Sequence, residues 1–230
     1  TATDQEPTTW MKDFLHYVRI DKPELAAGSG QALLDSSITD EQLALLVADN
    51  DLEDKLVSVL RRGRRMPGVE TIVSEMETRV EDGRIGLARD SKRIAESVQM
   101  LGGTLRQKML AETRLVAAGE YAMPALLAAV VDGNDPVLEV AATSVIERIK
   151  RQAVLPLCAA LMQVDPGAQR KICNMLGEIG YPTAEPFLLE LADAKGTPDV
   201  VKDAAMRAFK RLGGTSTSVS AQFVALGRRF

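Results

Sequence analysis

The sequence is poor in the residue types that build strands and metal sites. Aromatic residues make up only 4% of its 230 residues, whereas apolar residues make up 46%. Strand-rich proteins use more aromatic and β-branched residues, so this balance favours packed helices with a core of Ala, Leu, Val, Ile and Met. The single histidine, His16, leaves no second histidine for a paired metal site. We therefore expect an all-α protein without a bound metal or cofactor.

Positive charge is in deficit over the whole chain. The formal net charge is -4 and the isoelectric point is near 5.2. Because binding to nucleic acid requires a basic surface, we expect no nucleic-acid partner. The local exception is a cluster of Arg61, Arg62, Arg64 and Arg65 around Gly63. These cations either complement the dipole at a solvated helix end or form an anion or partner patch.

The sequence also lacks a predicted membrane span. Charged residues interrupt the apolar runs before they reach the length that a bilayer requires. The chain begins at Thr1 rather than Met, so we expect a processed or shortened chain. The sequence is compatible with a cytoplasmic location and with export followed by removal of the signal peptide.

Cysteine is nearly absent, and the two that occur are placed symmetrically. Cys158 and Cys173 lie on either side of the turn predicted at Asp165-Pro166, so they should lie at the same height in a helical hairpin. They are either reduced, buried apolar groups or a disulfide, which requires Cα atoms within about 7 Å and an oxidising compartment. Neither lies near His16 in the chain, and we predict no catalytic residue.

Prolines, in contrast, recur regularly through the second half of the chain. Two series have successive spacings of 32 and 30 residues and of 30 and 32 residues, in the range of stacked helical repeats. The first series opens an apolar segment and the second marks a turn: Pro124, Pro156 and Pro186, then Pro136, Pro166 and Pro198.

The segments after the turn prolines predict amphipathic helices in a common register. Leu138, Ala168 and Val201 align, and apolar residues follow at four, seven, eight and eleven positions. The segments that the first prolines open predict the partner helix of each pair. We call the helix that an opening proline starts the first helix of a pair, and the helix after a turn proline the second helix.

The stretches Ala168 to Gly180 and Val201 to Gly213 resemble the HEAT repeat, and within it the short bacterial HEAT-like form also found in phycobilisome lyases. The resemblance covers roughly Leu105 to Gly214. It implies an all-α superhelix, a HEAT-like solenoid, preceded here by an N-terminal helical cap region. The arginine common at the second position of the second helix is replaced by Glu139, Gln169 and Lys202, so its role is not carried over.

Four regions are predicted along the chain. Residues 1–66 form an N-terminal helical region, 67–104 connecting helices, 105–214 a half repeat and three helix pairs, and 215–230 a C-terminal tail or short capping helix. The half repeat is Leu105 to Ala118. Within the connecting region, a helix is predicted from Pro67 to about Glu81, with a break at Asp82-Gly83.

The resemblance also implies where a partner would bind. In HEAT-type solenoids the stacked second helices line a groove, and its candidate residues here are Glu139, Thr143, Glu147, Gln169, Lys202, Met206 and Lys210. The expectation is a non-enzymatic scaffold for a protein or peptide partner, with no prediction of oligomeric state. The alternatives are a lyase-like enzyme or accessory of the phycobilisome-lyase type and a HEAT-like DNA glycosylase, which the acidic net charge disfavours. Iron-binding HEAT-like hydroxylases are disfavoured by the single histidine.

Overall fold

The computed structural model describes residues 5–215 and 218–228, and within these ranges the regular structure is helical, without strands. The predicted all-α fold class is confirmed. The chain divides into two compact units, Thr1–Leu87 and Ala88–Phe230, which we call unit 1 and unit 2. The predicted range 215–230 includes residues outside the described ones, namely 216–217 and 229–230.

Unit 1 consists of helices around its own apolar core. Phe14, Leu33, Leu43 and Met76 are fully buried in this core, and Trp10 packs against it while partly exposed. Thr39 forms a capping box with Gln42 at the start of the third helix. The helices are α1 (Gln5–Arg19), α2 (Pro23–Leu34), α3 (Asp40–Asp49), α4 (Glu53–Gly63) and α5 (Glu70–Arg89).

The break predicted at Asp82-Gly83 is wrong, because α5 continues through both residues. Gly83 is buried, and a Cβ atom added there would overlap the backbone carbonyl of Asp40 and lie 2.9 Å from the Glu41 nitrogen. The glycine therefore lets α5 approach the start of α3 closely. Sequence reasoning treated it as a helix breaker because a close approach by a distant backbone leaves no local signal.

Unit 2 is built from helix pairs with short connections. The predicted pairs α8 with α9, α10 with α11 and α12 with α13 are present, and the second-helix stripes are buried. The helices are α6 (Ser91–Met100), α7 (Leu105–Ala118), α8 (Met123–Asp132), α9 (Pro136–Ile149), α10 (Arg151–Ala160), α11 (Pro166–Ile179), α12 (Glu185–Asp193), α13 (Asp199–Arg211) and α14 (Val219–Gly227).

The structure differs from the sequence prediction at α7, predicted as a half repeat. Helix α6 packs against it, so α7 also has a first helix. The chain turns at Gly102-Gly103 and re-enters helix through a capping box in which Thr104 and Gln107 satisfy each other's backbone N–H groups. This local signal is strong, but α6 lacks the opening proline of the other first helices.

The turn prolines lie at the starts of the second helices, as expected. One of the opening prolines does not open its helix. Asp135 and Asp165 cap α9 and α11 by accepting backbone N–H bonds, with proline next at the first helical position. Pro156 was predicted to open a helix and instead lies inside α10. The reason is Lys150, whose φ of 59° ends α9 and starts α10 at a single residue.

Hydropathy marks one stretch of unit 2 as apolar enough to cross a bilayer. Over Leu105–Asp132 an 18-residue window reaches a mean hydropathy of 1.5, by length and composition alone. This is weak evidence for a span, because a core helix of a protein outside the membrane passes the same test, and 39% of the window is buried inside the protein. Gly119, with φ of 57°, also interrupts the stretch, and a short 3-10 turn separates α7 from α8.

Candidate functional site

The second helices of unit 2 lie side by side in the order α7, α9, α11, α13. An ion pair joins each two neighbouring helices, and in the first of them the glutamate is Glu112 of α7. The pairs are Arg148 Nη1 to Glu112 Oε2 at 2.6 Å, Lys171 Nζ to Glu139 Oε1 at 2.7 Å, and Arg211 Nη2 to Glu178 Oε2 at 2.7 Å.

A cavity of about 390 Å³ opens between two of these helices, and we call it the α9–α11 cavity. Val140 contributes an apolar side chain that is 70% exposed, although it belongs to a helix with a well-buried opposite face. The exposed valine and the carboxylates give the cavity both apolar and acidic surface. Its lining residues are Glu139, Val140, Thr143, Ser144, Glu147, Lys171, Asn174 and Met175.

Three charged residues line the cavity. Among the described residues, two of them form an ion pair with each other and the third has no ion-pair partner. Lys171 bonds to Glu139 and also donates to the Val130 carbonyl oxygen at 3.1 Å, which ties α11 to α8 and α9. Glu147 has no ion-pair partner within 4 Å among the described residues. Its pKa is raised by partial burial and, secondarily, by the negative charge of Glu178. A cation brought to this position would therefore meet an uncompensated carboxylate.

The predicted groove positions line this cavity on α9 but not on α11. Glu139, Thr143 and Glu147 all border it. On α11, Gln169 instead turns its amide to the Leu161 carbonyl oxygen at 2.9 Å, within the α10–α11 turn. The register shifts because this side of α11 packs against α13, where a Cβ at the buried Gly177 would lie 3.3 Å from Ala208.

On α13 the predicted positions lie apart from the cavity. Lys202 and Met206 are partly buried, Met206 packs against the core, and Lys210 is exposed in the last turn. Sequence reasoning missed Lys171, Asn174 and Met175, which line the cavity from α11. The signal that could have found Lys171 is charge, since it lies two residues after Gln169, the repeat equivalent of Glu139, and carries the opposite sign to Glu139.

The two cysteines are free thiols buried in the α10–α11 hairpin. Burial raises the pKa of each to about 12, and the nearby Cys173 contributes to the shift at Cys158. Both thiols are therefore protonated at neutral pH and behave as small apolar groups. The disulfide considered from the sequence is not formed in the structure.

The arginine cluster divides into members with different surroundings. Arg64 forms a bidentate pair with Glu77 on α5, which favours a structural role for this arginine over an anion or partner patch. Arg61 and Arg62 lie in the last turn of α4, where they complement the helix dipole. Arg61, Arg62 and Arg65 also border a cavity in unit 1.

Paired helices, buried second-helix stripes and ion pairs between successive second helices define an α-solenoid. The family model described as HEAT repeats matches residues 123–210, from the start of α8 almost to the end of α13. The match supports a HEAT-repeat protein, a class that commonly serves as a protein-interaction scaffold. No curated protein and no solved structure matches the chain.

Proposed function

We propose that this protein is a non-enzymatic scaffold whose second helices in unit 2 bind a segment of another protein. The observation that carries the proposal is the α9–α11 cavity, which is lined by the exposed Val140 and, two helical turns further along α9, by Glu147, a carboxylate without an ion-pair partner among the described residues. Val137 on the preceding turn is 67% exposed and extends the apolar area. Apolar contact beside an unpaired charge is the combination that gives a protein interface both affinity and orientation.

The charge of the cavity indicates what the partner segment should carry. Lys171 is neutralised by Glu139 and Glu178 is paired with Arg211, which leaves Glu147 to set the sign of the potential. A lysine or arginine of the partner would lower the pKa of Glu147 toward its ordinary value and relieve the repulsion. We therefore propose a basic residue flanked by an apolar residue as the recognised element.

A pull-down from the source cells with quantitative mass spectrometry tests this proposal. The test variant changes the cavity, Val140→Asp with Glu147→Lys. A control variant makes the same chemical changes on exposed residues of first helices, Leu155→Asp with Glu190→Lys. We expect the control to retain the wild-type partners and the cavity variant to lose them. Equal recovery by both variants would show that the second helices are not the binding surface.

The phycobilisome-lyase alternative rests on the form of the repeat, as the HEAT match covers the broader family only. Incubation of the protein with a bilin and its acceptor protein, followed by absorbance spectroscopy, separates the two functions. The scaffold proposal predicts no change in bilin absorbance and no chromophore transfer. Transfer of the bilin would establish the enzyme instead.

A further inference from the structure

A second candidate site lies in unit 1, between α1 and α4. Its central cavity is about 310 Å³ in volume and has an apolar floor formed by Leu15, Leu52 and Val59. Three of the six polar rim residues are cations, and both helices contribute them. Its rim residues are Lys12, His16, Arg19, Asn50, Lys55 and Ser58.

A second cavity, of about 420 Å³, continues the first along α4 and shares Ser58 with it. Its lining includes Asp21, Arg61, Arg62, Arg65 and Met66. We call the two cavities together the α1–α4 groove. From Lys55 to Arg62 the groove follows α4 for seven residues, or about 10 Å at the helical rise, and Arg65 extends it past the end of the helix. An extended peptide of about four or five residues covers the helical segment and this extension.

Most cations of the groove have no acidic partner. Within the part of the chain that the structure describes, the only ion pair of the groove is the long one from Arg62 to Asp21, at 3.9 Å. Among the described residues, Lys12, Arg19, Lys55 and the remaining two groove arginines have no carboxylate oxygen within 4 Å. In a chain of net charge -4, this concentration of unpaired positive charge is a local exception.

Sequence spacing explains why these side chains share one surface. Lys12, His16 and Arg19 follow at four and then three residues, which places them on one face of α1. Lys55 and Ser58 have the corresponding spacing on α4. The two faces meet because α1 packs against α4. Only the arginine cluster is evident in the sequence, because the other cations lie on a different helix or are isolated in the chain.

We propose that the α1–α4 groove binds an acidic peptide segment that carries an apolar side chain. Carboxylates of the segment would pair with the rim cations, and its apolar side chain would contact the Leu15 and Val59 floor. The apolar floor is not needed by inorganic phosphate. Nucleic acid is disfavoured because Asp21 lies among the arginines and the imidazole of His16 is the only aromatic ring among the described lining residues.

Fluorescence anisotropy with the full chain tests the proposal. The probe is a fluorescein-labelled peptide, Asp-Glu-Leu-Asp-Glu, titrated at low and at physiological ionic strength. We expect saturable binding that weakens with salt, since the rim cations are exposed. Replacing the probe's leucine by serine should raise Kd several-fold, because the floor loses its apolar contact. Unchanged Kd for the serine probe would contradict use of the floor.

Two matched variants locate the binding. The groove variant is Lys12→Gln, Arg19→Gln and Lys55→Gln, and the control changes three exposed cations of unit 2, Lys92→Gln, Arg151→Gln and Lys195→Gln. Both alter the net charge equally. We expect the groove variant to raise Kd about tenfold or more and the control to leave it nearly unchanged. Equal effects of the two variants would overturn the proposal.

Competition experiments decide between the acidic peptide and other anions. An oligothymidylate, phosphatidylserine vesicles and inorganic phosphate are each added to the bound probe. Displacement by unlabelled peptide at much lower concentration than by these anions supports the proposal. Failure of the peptide to bind, with retention of one of the other anions by the groove cations, would overturn it. The α9–α11 cavity variant should bind the probe normally, so failure of this site is distinguishable from failure of the scaffold proposal.

Discussion

Replacement of Gly83 by alanine should destabilise unit 1 strongly, although it removes a glycine from a helix. Alanine is better than glycine in a helix interior by about 1 kcal/mol, so propensity alone predicts a gain. The new methyl group would overlap the Asp40 carbonyl, which is backbone and cannot rotate away. Overpacking of this kind costs about 1–3 kcal/mol, and more where the neighbour cannot move.

If the added methyl group pushed α5 away from α3, the hydrogen bonds of Arg79 would also be weakened. Its Nε donates to Asp40 Oδ1 at 2.6 Å, and its guanidinium also donates to the Leu34 and Ile38 carbonyl oxygens at 3.0 and 2.5 Å. Charged hydrogen bonds contribute about 1.5–3 kcal/mol, and part of this is lost if α5 shifts. Taken with the propensity gain, we expect Gly83→Ala to lower the free energy of unfolding by about 2–4 kcal/mol.

Urea denaturation followed by tryptophan fluorescence measures this change. Trp10 is the only tryptophan and packs against the unit 1 core, so its emission reports that unit. Gly28→Ala is the matched control, because Gly28 is also in a helix but nothing lies within 4 Å of an added Cβ. This variant should gain about 0.5–1 kcal/mol. If Gly83→Ala were as stable as Gly28→Ala, the close approach of α5 to α3 would be refuted.

Two further predictions concern titratable groups of unit 2. Cys158 and Cys173, with pKa values of about 12, should resist iodoacetamide at pH 8 when folded and react in urea, as measured by mass spectrometry; equal rates would contradict their burial. Glu147→Gln should stabilise the fold by about 0.5 kcal/mol or less at pH 7. The gain should disappear below about pH 4, because a raised folded-state pKa makes stability fall as pH rises above the ordinary value of 4.5. A gain equal at both pH values in urea denaturation would contradict this assignment.

Much of the fold could be predicted because its determinants are local. The proline spacing, the caps at Asp135 and Asp165 and the apolar stripes each act within one or two helical turns. The start of α2 at Pro23 and the capping box at Thr39 depend on local signals of the same kind. The candidate groove on α9 was also predictable, since repeat register places Glu139 and Glu147 on one face.

What the sequence alone determined is therefore the repeating helix pair and the face that each helix buries. Tertiary structure decided which glycines form turns and which one allows two helices to approach closely. Gly83 contacts the backbone of α3, which lies over forty residues away in the chain. Tertiary structure also decided which side of α11 borders the cavity, because packing against α13 occupies the predicted side at Gly177. In unit 1 it assembled dispersed cations of α1 and α4 into one groove. Such choices depend on neighbours distant in the chain, and periodicity within a helix carries no information about them.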